Sequence, residues 1–297
     1  MTSQELDQLR REKWRTHGTP VATLEEARAF VDSVGICLLY PEKPALLLPT
    51  LVGAVAGEDR DLPTARQAFA DERAGRAVEF LHRLVQQRAA FESDLFAGNP
   101  LLLSPNVFPY FYALAREGKT GLMKRPELSQ LAQLAWKVFE RKGRVTPQQL
   151  RESLGAELSS AALERALHEL WARLRVVPEE RGGEERWATL ERWAPEVVNQ
   201  AQGLSVPVAL SAVVSQYLEG VVAAEQRDVE EFFTRFLPRS RVHDCIQALL
   251  AAREFSFIYV GERTLIQVTP ERTPDPRRAA KPQPRERKLA TPGRRRS

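Results

Sequence analysis

The sequence predicts a mainly α chain with small β wings. This is an α+β fold in which two winged-helix units in tandem follow a helix-rich N-terminal domain. Three observations predict it. The order helix, short strand, helix, helix, strand, turn, strand runs through residues 128–190 and again through the stretch ending at 268. The helical stretches repeat their apolar residues at helical spacing, while the strand stretches are short, β-branched and bounded by turn residues. The two copies lie about seventy residues apart, and a supersecondary order repeated at fixed spacing argues for one structural unit used twice.

The N-terminal domain, residues 1–125, is loose enough in its order to stand as a degenerate winged helix. Thr23-Leu-Glu-Glu26 is a capping box opening a helix through Ser33, since the Thr and Glu side chains can satisfy each other's backbone amides. VGICLLY (34–40) reads as a buried strand and PALLLPTLVGAV (44–55) as a compact apolar segment. A long helix over 64–91 turns Phe69, Val78, Leu81, Leu84 and Val85 inward. SPNVFPYFYAL (104–114) is an aromatic cluster expected to dock this domain onto the first winged helix. No basic residue interleaves it, as a base-stacking surface would require.

In the first winged helix, 126–204, Leu131, Leu134, Ala135, Val138 and Phe139 mark a helix that Gly143 ends. Arg144-Val145 is extended. Thr146 caps a second helix with Pro147 at its first position, where the missing N–H costs nothing. Ser160 is expected to cap the third helix, whose stripe is Leu163, Leu167, Leu170 and Leu174, and RVV (175–177) and RWATL (186–190) flank the turn RGGEE. The second unit, 205–269, repeats this. Leu210, Val213, Val214, Tyr217 and Leu218 form its first helix, VVAA (221–224) a short strand, and Asp228–Phe233 the second helix. Ser240 is expected to cap a third helix buried through Val242, Cys245, Ile246, Leu249 and Leu250, with FSFIYV and TLIQV as the wing.

The net charge of +4 hides an asymmetry. Residues 270–297 hold ten Lys or Arg against three Asp or Glu, a net +7, and six of the twenty prolines, leaving −3 on residues 1–269. That composition predicts a disordered basic tail suited to polyanions, nucleic acid first among them. The two cysteines, Cys37 and Cys245, have no metal or redox spacing and read as buried thiols of a cytoplasmic protein. No signal peptide or membrane span is expected: the most apolar window, 44–57, is broken by prolines and falls short of the roughly 20 residues a span needs. There is no phosphate-binding Gly loop, zinc-finger spacing, HExxH or Gly-x-Ser-x-Gly elbow, and the four histidines are scattered. No cofactor or metal is expected.

With the paired winged-helix units, LAQLAWKVFERKGRVTPQQLRESLG (131–155) in the first and FPYFYAL before them, the chain resembles the AlkZ/YcaQ-type crosslink-repair DNA glycosylases, loosely over residues 20–268. The resemblance implies tandem winged helices cupping duplex DNA. It also implies a short Gln-x-Asp or Gln-x-Gln motif in the N-terminal part that positions the hydrolytic water. Residues 1–120 contain neither string; Gln200-Ala-Gln202 and Gln226-Arg-Asp228 lie further on. The expectation is therefore a divergent DNA-binding relative without the usual catalytic motif. The alternatives are an active glycosylase on damaged or crosslinked bases and a winged-helix module that binds a protein partner.

A DNA-reading third helix must present donors to base edges and phosphates. The second unit offers Arg239, Arg241, His243, Gln247 and Arg253, with Arg263 on its wing and Asp244 as an objection. The first unit offers Arg165 and Arg173 beside Glu164 and Glu169, supported by Arg144, Arg186 and Arg181. Arg294, Arg295 and Arg296 close the basic tail.

Overall fold

The computed structural model describes residues 1–93, 95–96, 98–116, 127–181 and 184–270, and the side chains of all of these except 180, 181 and 184. The first helices are α1 (Ser3–Lys13) and α2 (Leu24–Val34), each opened by a full capping box, Thr2 with Glu5 and Thr23 with Glu26. β1 (Ile36–Leu38) follows, then α3 (Leu51–Ala56) and α4 (Glu72–Gln86). The expected helix over 64–91 is shorter because Asp71 caps it, accepting from the amides of Arg73 and Ala74. Phe69, expected inside, sits before that cap and is fully exposed. β2 (Phe91–Ser93) and β3 (Leu101–Leu103) complete a three-stranded antiparallel sheet in the order β1-β3-β2. α5 (Phe108–Ala115) contains the aromatic cluster.

The first winged-helix order is α6 (Gln130–Lys142), β4 (Arg144–Val145), α7 (Pro147–Leu154), α8 (Ser160–Trp171), β5 (Val176–Arg181) and β6 (Glu184–Thr189). Sheet order β4-β6-β5 pairs the short strand with the wing. Leu163, Leu167, Leu170 and Leu174 are buried, but Leu134 is exposed. Ala132 takes the inward place instead, since it shares the helix side of Ala135 and Phe139 from which Leu134 is turned away. The cap of α8 is Ser159, not Ser160: its hydroxyl accepts from the amide of Ala162.

After α9 (Leu190–Trp193) and α10 (Pro195–Gln202) comes the second order: α11 (Val206–Val221), α12 (Gln226–Phe233), α13 (Arg239–Ala251), β7 (Phe255–Val260) and β8 (Arg263–Val268). Ser240 lies inside α13, which Pro238 precedes without a side-chain cap. VVAA is not a strand. α11 runs through Val221, the chain reverses at Val222 (φ +70°), and Ala224 alone bridges to Ile266.

The aromatic cluster docks on the 126–204 segment through α10, as expected, and on α11 of the second unit as well. α5 packs on α10 and α11, and Phe108 stacks on Phe91 while Phe111 meets Phe236. The largest core therefore runs from β1 and β3 through α5 into α11, α12 and α13 without a break. Two devices hold α11 there. At Gly220 a Cβ would stand 2.7 Å from the carbonyl oxygen of Val34, so glycine lets α2 and α11 touch backbone to backbone. At its C-terminus, Arg10 of α1 donates to the carbonyls of Val221 and Ala223, and Trp14 donates Nε1–H to Gly220 at 2.8 Å. A buried cation there answers the unpaired carbonyls and negative dipole end of the helix.

Candidate nucleic-acid interface

α13 is the third helix of the second unit. Val242, Ile246 and Leu249 bury one side of it, leaving Arg241, His243, Asp244, Gln247 and Ala248 in solvent. Behind this face lies a polar network centred on Glu230 of α12, which the sequence reading missed. Its side chain is 8% exposed, and Arg239 Nε and Nη2 each reach Oε2 at 2.8 Å. Gln226 Nε2 (2.8 Å) and His243 Nδ1 (3.1 Å) meet Oε1. Gln247 Nε2 in turn donates to Gln226 Oε1 at 3.4 Å. Burial pushes the Glu230 carboxyl up, but donors from Gln226, His243 and Arg239 outweigh that and hold it below its ordinary value. The i, i+4 pair Gln226 and Glu230, one helix ahead of Arg239, was the available signal.

The expected donors thus differ in what holds them. Arg239, His243 and Gln247 are oriented by the network. Arg263 is paired with Glu225 at 2.7 Å, and Arg144 with Glu179 at 3.0 Å while also donating to the Arg192 carbonyl. Among the described residues, Arg165, Arg241 and Arg253 are exposed with no carboxylate partner. Arg253 turns the chain out of α13 at φ +61°. In the first unit Arg173 is half-buried and, with Arg175, lines a hollow beside Trp136, and Arg186 is half-buried on β6. Glu169 is no free surface charge, because it accepts from the Ser129 amide at the start of α6. The Arg181 side chain and residues 271–297, with Arg294, Arg295 and Arg296, lie outside the described residues.

A cleft of about 920 Å3 opens on the N-terminal side, lined by Glu42, Lys43, Arg66, Phe96, Asn99 and Arg235 among others. Asn99 is buried and clasps the backbone of Tyr40, accepting at 3.1 Å and donating at 3.0 Å. Its Nδ2 also donates to Glu42 Oε1 at 2.6 Å. This carboxylate–amide pair joins residues 57 apart, so no local string revealed it. Among the described residues no His, Cys, Asp and Glu cluster could hold a metal ion, and no single helix is long and apolar enough to cross a membrane.

Tandem winged-helix units on a helix-rich N-terminal part define the class of protein. More specifically, residues 21–234 match the family described as AlkZ related, and the chain belongs to that family. Among solved structures it is similar to the Streptomyces sahachiroi DNA glycosylase AlkZ, at 15% identity and a TM-score of 0.54, covering 91% of this chain and 70% of that one. None of the curated proteins matches it.

Proposed function

We propose that this protein binds duplex DNA through the exposed face of α13 and the adjoining wing, and that it does so without the glutamine-based base excision that the resemblance implies. The observation supporting this most directly is the row of donors on α13. Arg241 stands free in solvent, and His243 and Gln247, one turn apart on the helix, are oriented by the Glu230 network. Arginine and glutamine are suited to guanine and adenine edges in the major groove. The AlkZ glycosylase that the chain resembles in fold is named for action on DNA, and the sequence beyond the wing carries a net +7. Arg263, paired with Glu225, serves as a phosphate contact on the wing.

Titration against duplex DNA at several salt concentrations tests this. Each phosphate contact contributes about −0.9 to the slope of log affinity against log salt. Deleting 270–297 flattens the slope. Changing Arg241 and Gln247 to alanine reduces discrimination between DNA sequences by about 1–3 kcal/mol per base-reading contact. If the tail-deleted protein binds no DNA even at low salt, the winged helices are a protein-interaction module instead. One observation favours a second reading, excision of a damaged base: the Glu42–Asn99 pair lines a cleft of the size ligands use. Release of free base from alkylated duplex DNA, abolished by Glu42→Gln, establishes that reading; no release above background eliminates it.

A further inference from the structure

The two wings differ in how their outer edges are finished. In the first wing the outer strand is β5, VVPEER, which carries Pro178, Glu179, Glu180 and Arg181. Proline and charge on an edge strand are the usual guards against pairing with another chain. In the second wing β8 is covered on its far side by Ala224, whose amide and carbonyl exchange bonds with Ile266 at 3.0 and 2.8 Å. The outer strand is β7, FSFIYV, which has no proline and no charge.

The register shows which groups β7 turns outward. Ile266 gives both backbone groups to Ala224, so its pairing with Phe257 is of the type that exchanges no hydrogen bonds. The alternation then directs the N–H and C=O of Phe255, Phe257 and Tyr259 away from β8. None of these groups bonds to another described element. The side chains add to this: Phe257 is 55% exposed and Tyr259 73%, next to one another on the same face of the strand. A hairpin with a free, uncharged, aromatic edge is built to accept a further strand.

We infer that the β7 edge is an interface between two copies of this chain, joined by antiparallel β7–β7 pairing about a two-fold axis. The strand is complementary to itself. A two-fold axis centred on Phe257 sets that residue opposite its own copy and Phe255 opposite Tyr259. Every outward-bonding residue then meets an aromatic, which is the favoured cross-strand pair. The flanking charges are balanced at each end, Arg253 with Glu254 and Glu262 with Arg263. Arg253 precedes the strand and Glu262 lies in its turn, and antiparallel pairing brings the Arg253 end of one copy to the Glu262 end of the other. Centring on Ile258 would instead oppose Glu254 and Glu262, like charges. Six paired residues a side make a small interface, below the roughly 1,200 Å2 of stable complexes, so the dimer is reversible and dependent on concentration.

Sedimentation velocity of the full chain over a wide concentration range tests the pairing. Its weight-average mass rises from one chain toward two and stops there. Phe257→Lys holds it at one chain with an unchanged circular dichroism spectrum, and Phe257→Pro, which removes an outward N–H only, does the same. Phe257→Cys forms an intermolecular disulfide on mild oxidation, whereas wild type and Ile258→Cys do not. Three results overturn the inference: a monomer at every concentration, a dimer that both Phe257 variants leave intact, or growth beyond two chains. If the Lys and Pro variants unfold, the cysteine cross-link decides by itself.

Discussion

Replacing Glu230 with glutamine separates stability from DNA affinity, because the carboxylate anchors α13 and also occupies Arg239. Four contacts converge on it: two from Arg239, one from Gln226 and one from His243. A hydrogen bond to a charged group contributes about 1.5–3 kcal/mol when buried. Here, however, Arg239 and His243 are 73% and 50% exposed, so water re-solvates them and an exposed pair is worth about 0.2–1 kcal/mol. The glutamine also turns an amide donor toward donors. The total loss is about 1–3 kcal/mol, read from urea unfolding at neutral pH. The folded-state pKa of Glu230 lies below its ordinary 4.5, so its contribution is complete above that value and disappears as pH falls through the folded pKa. The difference between wild type and Glu230→Gln therefore closes in acid below 4.5. Arg239, set free, gains a phosphate contact, and the DNA salt slope steepens by about 0.9. Unchanged stability at pH 7, or a gap that persists into acid, refutes the role assigned to the network.

Gly220→Val places a β-branched side chain against the Val34 carbonyl, which cannot retreat without moving α2. A loss of about 2 kcal/mol or more is expected in urea unfolding, since overpacking against backbone is not relieved by a rotamer change. Arg10→Met keeps much of the volume but removes both guanidinium bonds at the end of α11. About 3 kcal/mol is expected from the carbonyls left behind, with faster hydrogen exchange at Val222 and Ala223 as the local signature. Leu134→Gln, on the exposed side of α6, changes stability by less than about 0.5 kcal/mol, whereas Leu163→Ala in the first-unit core loses about 2–5 kcal/mol.

The sequence by itself determined the order of elements in the first winged helix, the order of helices and wing in the second, the capping box at Thr23, the N-cap at Thr146, and most of the buried stripes of α11, α12 and α13. Each of these rests on neighbours within a turn or a hairpin, where periodicity and capping chemistry are local. It read the isolated bridge at Ala224 as a strand. It misjudged where small differences decide between adjacent candidates: Ser159 over Ser160 as a cap, Ala132 over Leu134 as the inward residue, Asp71 as the point where α4 begins. Tertiary structure alone decided the rest. That α5 packs on α11 of the second unit as well as on α10 depends on apolar faces brought together through space, and no spacing encodes it. The clamp of Arg10 on α11 spans 211 positions, and the Glu42–Asn99 pair spans 57. The pairing of Arg239, Arg263 and Arg144 with carboxylates likewise depended on through-space distance, because a charge in the sequence declares its sign but not its partner. Which wing edge stays open was also invisible in the strand sequences, since it depends on Ala224 reaching Ile266 from the far side and leaving β7 outermost.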